Sequence, residues 1–116
     1  MFRFEKLEIW ELAIEYGNKL YDVAETFPKS EQFSLTSQLK RAAVSTSNNI
    51  AEGSGAATNK DFKNYLDIAI KSTLETVNIL FFAQKRKFIQ ESLRLKLYEE
   101  AEKLIRKIHS FKKTLR

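Results

Sequence analysis

Apolar residues recur at steps of three and four through most of the chain, and four separate segments carry the pattern. The first predicts a helix over about 6–25. Trp10, Ala13, Gly17, Leu20 or Tyr21, and Ala24 form one line along it, with Ile9, Leu12, Tyr16 and Val23 beside it. Pro28 ends the segment, because the residue before a proline is pushed out of the helical basin and proline has no amide to donate. The second helix is predicted over 34–52, with Ser34 as its cap and Leu35, Leu39, Ala42, Thr46, Ile50 and Gly53 as its core line. Gly53-Ser54-Gly55 is expected to break it, with Gly53 in a left-handed cap. The third helix, 59–86, opens on Thr58-Asn59-Lys60-Asp61, a capping-box pattern. Phe62, Leu66, Ala69, Thr73, Val77 and Leu80 form one stripe on it; Tyr65, Ile68, Ser72, Glu75, Ile79 and Phe82 form another. The fourth, 91–115, repeats Leu97, Ala101, Leu104, Ile108, Phe111 and Leu115 in unbroken heptad spacing.

Four helices with short connections predict an all-α fold: an antiparallel up-down-up-down four-helix bundle in a single domain spanning 1–116. The second apolar lines on helices one and three exceed what one bundle seam uses. Surplus apolar surface on a small bundle points to an interface, here with further copies of the same chain.

A polar line interrupts this scheme. Gln38, Arg41, Ser45, Asn49 and Glu52 fall on one face of the second helix. Ser72 and Glu75 on the third could join them, with Glu52 and Glu75 facing each other among the donors. Paired carboxylates can perform acid–base work when their pKa values split. A hydrogen-bonded structural network is the favoured reading, since no neighbouring residues suggest a substrate pocket. On that reading Glu52→Ala would strand buried partners at a cost of about 1–3 kcal/mol.

Composition narrows the chemistry. With no cysteine in the chain, disulfides, thiolate catalysis and cysteine-based metal sites are excluded. A carboxylate-bridged di-iron centre needs Glu-x-x-His from two helices, whereas the one histidine, His109, follows Arg106 at that spacing. No nucleophile motif or phosphate loop is present. No catalytic residue, cofactor or metal is therefore assigned. The longest apolar run, Ile79–Ala83, is far short of a membrane span, and Met1-Phe-Arg-Phe-Glu-Lys6 lacks a signal-peptide core. The expectation is a soluble cytoplasmic protein.

Charge is unevenly distributed. Residues 1–84 hold 9 Lys/Arg against 11 Asp/Glu, a balance of −2, whereas residues 85–116 hold 11 against 4, a balance of +7. Localised positive charge attracts polyanions. The candidate nucleic-acid contacts are Lys85, Arg86 and Lys87 in the last turn, and Lys103, Arg106, Lys107 and Lys113 outside the heptad line, with Arg94 and Lys96 as outliers. Aromatic residues interleave little with these positions, so phosphate contact with RNA or DNA is indicated rather than base stacking. The competing reading is a scaffold whose basic face meets an acidic protein partner or simply keeps the chain solvated.

The motifs also carry a family resemblance. Phe27-Pro28-x-x-Glu31-x-Phe33-x-Leu35, Gln38-Leu-Lys-Arg-Ala-Ala-Val-Ser45, Asn49-Ile-Ala-Glu-Gly53-Ser-Gly55 and Ile68-Ala69-x-x-Ser72-x-x-Glu75 resemble the bacterial 23S rRNA intervening-sequence proteins of the S23 family. The resemblance implies a four-helix bundle assembled as a ring-shaped homopentamer. More distantly, the chain is similar to the accessory variability protein of diversity-generating retroelements, a pentameric bundle that works with a reverse transcriptase and nucleic acid. Two positions depart from the family pattern: Ser47 stands where proline is common, and Lys71 where glycine usually precedes the motif serine.

Overall fold

Helix boundaries in the computed structural model, which describes residues 1–116, follow from local chemistry. A 3₁₀ turn at Arg3–Lys6 precedes α1 (Glu8–Glu25). Phe27-Pro28 ends that helix, and a second 3₁₀ turn, Lys29–Glu31, leads into α2 (Leu35–Ser54). Then come α3 (Asn59–Lys85) and α4 (Glu91–Lys112). No strand is present, and the fold is all-α.

The ends differ in detail from the motif reading. Ser34 does not cap α2; its hydroxyl donates backward to the Glu31 carboxylate at 2.9 Å. Thr58 does cap α3, its Oγ1 accepting from the Asp61 amide at 3.1 Å. Gly53 is no left-handed cap, because α2 runs on through Ser54 and no glycine has a positive φ. Gly53 is instead a point of helix contact. A Cβ placed there would lie 2.7 Å from the Cβ of Tyr65 and 2.9 Å from the ring of Phe62. The α3–α4 turn does use a left-handed residue, Lys87 at φ 65°, and the Phe88 amide reaches back to the Ala83 carbonyl at 2.9 Å. That is the Schellman closure, made here by a lysine rather than the usual glycine.

Cross-helix pairs give the topology. Gly17 lies against Ala43 and Glu25 pairs with Lys40, while Gly53 lies against Tyr65 and Ser45 bonds Ser72. Asp67 pairs with Lys112 and Gln84 with Arg94, and Glu8 pairs with Lys107 and Lys19 with Glu100, so each neighbouring helix runs antiparallel to the last and α4 closes onto α1. The bundle measures 44 × 24 × 21 Å, its long axis set by the 27-residue α3, about 40 Å at 1.5 Å per residue.

The core takes Leu20, Leu39, Ile50, Phe62, Leu66, Leu80, Leu104 and Ile108 nearly out of solvent. On α1 the buried positions are Ile9, Ala13, Tyr16, Leu20, Val23 and Ala24. Most of the line expected to be surplus there is therefore used within the chain's own core, while Tyr21 is exposed. On α3 the second stripe divides. Ser72 and Ile79 are buried, whereas Ile68 and Phe82 stay open to solvent.

A chain of hydroxyls crosses the centre. Thr73 Oγ1 donates to the Ala69 carbonyl and lies 3.2 Å from Thr46 Oγ1. Thr76 Oγ1 donates to the Thr73 carbonyl, and the Tyr16 hydroxyl meets Thr76 Oγ1 at 2.9 Å. Three helices are thereby joined by polar groups with their partners in place, and no buried side-chain polar atom is left unpaired.

Candidate nucleic-acid interface

The polar row of α2 is only partly joined by hydrogen bonds. Asn49 Nδ2 donates to the carbonyl and hydroxyl of Ser45, and the Ser45 hydroxyl meets that of Ser72 at 2.8 Å. Gln38, Arg41, Glu52 and Glu75 are exposed and do not enter that group. Arg41 reaches Ser37 at 3.4 Å, and Glu52 accepts from Asn48 at 3.1 Å. The expected facing of Glu52 and Glu75 is corrected by the helix register. With Ser45 level with Ser72, Glu52 lies seven residues one way and Glu75 three the other, about 15 Å apart along the axis at 1.5 Å per residue. An exposed Glu52 also removes the reason for a large stability loss in Glu52→Ala.

The basic residues separate into two groups. Lys85, Arg86 and Lys87 sit at the bundle end that also holds the α1–α2 link, as the Phe27–Phe88 ring contact at 5.8 Å shows. The guanidinium of Arg86 lies 5.9 Å from the Phe88 ring centre. Arg94 is engaged, donating to Gln84 at 2.8 Å and lying 4.4 Å from the Phe81 ring centre. Lys96 is exposed on the outer side of α4. Lys103, Arg106, Lys107 and Lys113 lie toward the opposite end, fifteen residues of α4 separating Glu91 from Arg106, about 22 Å.

There the fold makes a cleft. Antiparallel packing brings the second half of α4 beside the entry to α1. Between them is an open depression of about 730 Å³ with Lys103, Arg106 and Lys107 on one bank and Lys6 on the other. Leu7, Ile9 and Phe111 are its apolar lining, and Ser110 and Thr114 contribute hydroxyls. Lys107 is partly neutralised by Glu8 at 3.3 Å. Lys6, Lys103 and Arg106 have no carboxylate within ion-pair distance. Alongside, Glu5, Glu8, Glu11 and Glu15 line a neighbouring depression that Lys6 also borders, so acidic side chains lie beyond the α1 bank. Lys113, at the C-cap of α4, is exposed just beyond the cleft.

Sequence reasoning missed Lys6 and Phe111 as parts of this place. Lys6 is an isolated lysine almost a hundred residues from Lys103, and Phe111 reads as an ordinary heptad position. No local signal could have paired them.

Fold and surface together define a small all-α bundle with basic residues grouped at both ends of its closing helix. The chain belongs to the family of 23S rRNA-intervening sequence proteins, whose family model matches residues 5–110. Among solved structures, it is similar to a protein of unknown function from the S23 ribosomal protein family of Bacteroides thetaiotaomicron VPI-5482. The TM-score is 0.83 at 21% identity, over 90% of this chain and 98% of that one, a likeness that establishes the common fold. No curated protein matches the chain. No helix is long and apolar enough to cross a membrane.

Proposed function

We propose that this protein is a non-enzymatic homo-oligomeric bundle that binds RNA or DNA in the cytoplasm through the basic region of α4. The observation that carries the proposal is the cleft with Lys6, Lys103 and Arg106 free of acidic partners. Unpaired cations held on opposite banks of one depression suit a chain of phosphates, and each phosphate neutralised releases condensed counterions. Assembly, with the pentameric ring implied by the family resemblance, repeats the cleft and multiplies weak contacts through avidity. Lys85, Arg86, Lys87 and Lys113 add general attraction from outside the cleft.

The test is binding of a mixed-sequence RNA to the purified protein over a salt series. Binding that weakens steeply between about 50 and 200 mM salt is expected. No binding at low salt, or binding indifferent to salt, would end the proposal.

A second reading is a protein-interaction scaffold. It draws on the exposed apolar side chains of Val44, Ile68, Leu74 and Phe82, which suit a protein surface rather than phosphate. A specific protein partner, with no change in the 260/280 nm absorbance ratio after nuclease treatment, would favour it.

A further inference from the structure

We infer that the α1–α4 cleft takes a single nucleic-acid strand and excludes a duplex. The inference rests on the nucleic-acid reading above and narrows its substrate.

The cleft is narrow. Packed helices have axes about 8–10 Å apart, so the depression between two of them is narrower still. Reading a duplex by its bases needs a protruding helix or strand pair that enters the major groove, about 12 Å wide. A concave cleft has the opposite shape. One extended sugar–phosphate backbone fits between banks that a duplex can only rest upon.

Lys6 stands across the cleft from Lys103 and Arg106, so the cations flank a narrow path instead of spreading over a flat face. Lys103 and Arg106 are three residues apart on α4, about 4.5 Å along its axis, and therefore lie one after the other along that path. Glu8, paired with Lys107, and beyond Lys6 the glutamates Glu5, Glu11 and Glu15 bound the path on the α1 side, leaving Lys6 as the cation of that bank.

Leu7 and Phe111 are half-buried at the cleft, and Phe111 is braced by the Phe62 ring at 5.5 Å. The sequence pattern predicts no base contact, but folding brings Phe111 beside Lys103, Arg106 and Lys107, an aromatic surface that the unstacked bases of a single strand can meet and the stacked bases of a duplex cannot. The hydroxyls of Ser110 and Thr114 beside it supply polar contacts without selecting a base.

The experiment is fluorescence anisotropy with a labelled single-stranded oligonucleotide of mixed sequence and the duplex of the same sequence. It uses the intact protein, Lys103→Gln/Arg106→Gln, Lys6→Gln, and Lys29→Gln, in the turn after α1, as the far-end control. The single strand is expected to bind at least tenfold tighter than the duplex. The slope of log K against log salt is expected near −2 per protomer, for three cations at about −0.7 each. The α4 double variant should lose at least tenfold, Lys6→Gln should lower the slope by about 0.7, and the far-end control should change little.

Equal or tighter duplex binding overturns the single-strand inference while leaving the nucleic-acid reading intact. Single-strand binding that survives the cleft variants removes the site from the cleft. A fall in mass by light scattering in the α4 variant, with strand binding unchanged, assigns these cations to a neighbouring copy's glutamates and overturns it too. Failure of both probes to bind wild type ends both readings together.

Discussion

Tyr16 is almost fully enclosed, and its hydroxyl has Thr76 as its partner at 2.9 Å. In Thr76→Val that partner is gone, so the tyrosine hydroxyl is left buried and unsatisfied, at a cost of about 1–3 kcal/mol in denaturant melts. Adding Tyr16→Phe should restore much of the loss, because removing both polar ends strands nothing. The same group predicts an alkaline effect. Burial, assisted by the charge of Glu100 and opposed by the Thr76 hydrogen bond, pushes the Tyr16 pKa from 10.0 up to about 12. The folded state thus holds its proton where the unfolded chain has released it. Its contribution is complete below pH 10 and is lost as pH rises toward 12, at up to about 1.4 kcal/mol per pH unit. Tyr16→Phe should lose less stability than wild type across that interval; parallel alkaline slopes would contradict the assignment.

Among the helices, α2 and α3 are held close by small residues at their contact. Gly53 admits the Phe62 ring and Tyr65, and Ser45 and Ser72 approach within hydrogen-bond distance. Gly53→Ala would push its methyl into the Cβ of Tyr65, which cannot swing aside without the backbone of α3. The gain in helix propensity from glycine to alanine is about 1 kcal/mol. Overpacking typically costs about 1–3 kcal/mol and should win, so the variant should melt lower than wild type. A higher melting temperature would mean that the helices separate easily. The glycine was visible in the sequence and its purpose was not. A Gly-Ser-Gly run reads locally as a helix stop, while the neighbour that requires the missing side chain comes from another helix. The cap at Thr58 was legible because its donor and acceptor are three residues apart. The expected cap at Ser34 fails because its backbone, at φ −128° and ψ −102°, lies outside the extended region a cap residue adopts, and its hydroxyl turns back to Glu31.

For the whole molecule, the surplus apolar surface is narrower than periodicity suggests. On α2, its approach and α3 it includes Phe33 at 91% exposure, Val44, Ile68, Leu74 and Phe82 at 57%; Phe2, Tyr21, Phe81, Leu93 and Leu95 are exposed elsewhere. If copies cover this surface, Ile68→Ser/Phe82→Ser should shift the mass in light scattering toward the single chain. Its monomer fold should be retained, because neither side chain belongs to the core. Unchanged mass would locate the contacts elsewhere, and a wild-type protein that runs as a single chain at micromolar concentration would remove the avidity argument.

The sequence alone determined the four helices, their connections and the concentration of positive charge in the last quarter, since each is written in spacings of a few residues. Tertiary packing decided which apolar line on α1 faces inward, why α2 carries Gly53, and that Tyr16 meets Thr76. It also decided that Lys6 stands opposite Lys103 and Arg106 while Lys85–Lys87 lies at the other end. The physical reason is that hydrophobic periodicity specifies a helix and its apolar side, but how each helix rotates and slides against its neighbours depends on volumes supplied by distant residues. A site formed between the first turn and the last helix exists only after that packing is complete.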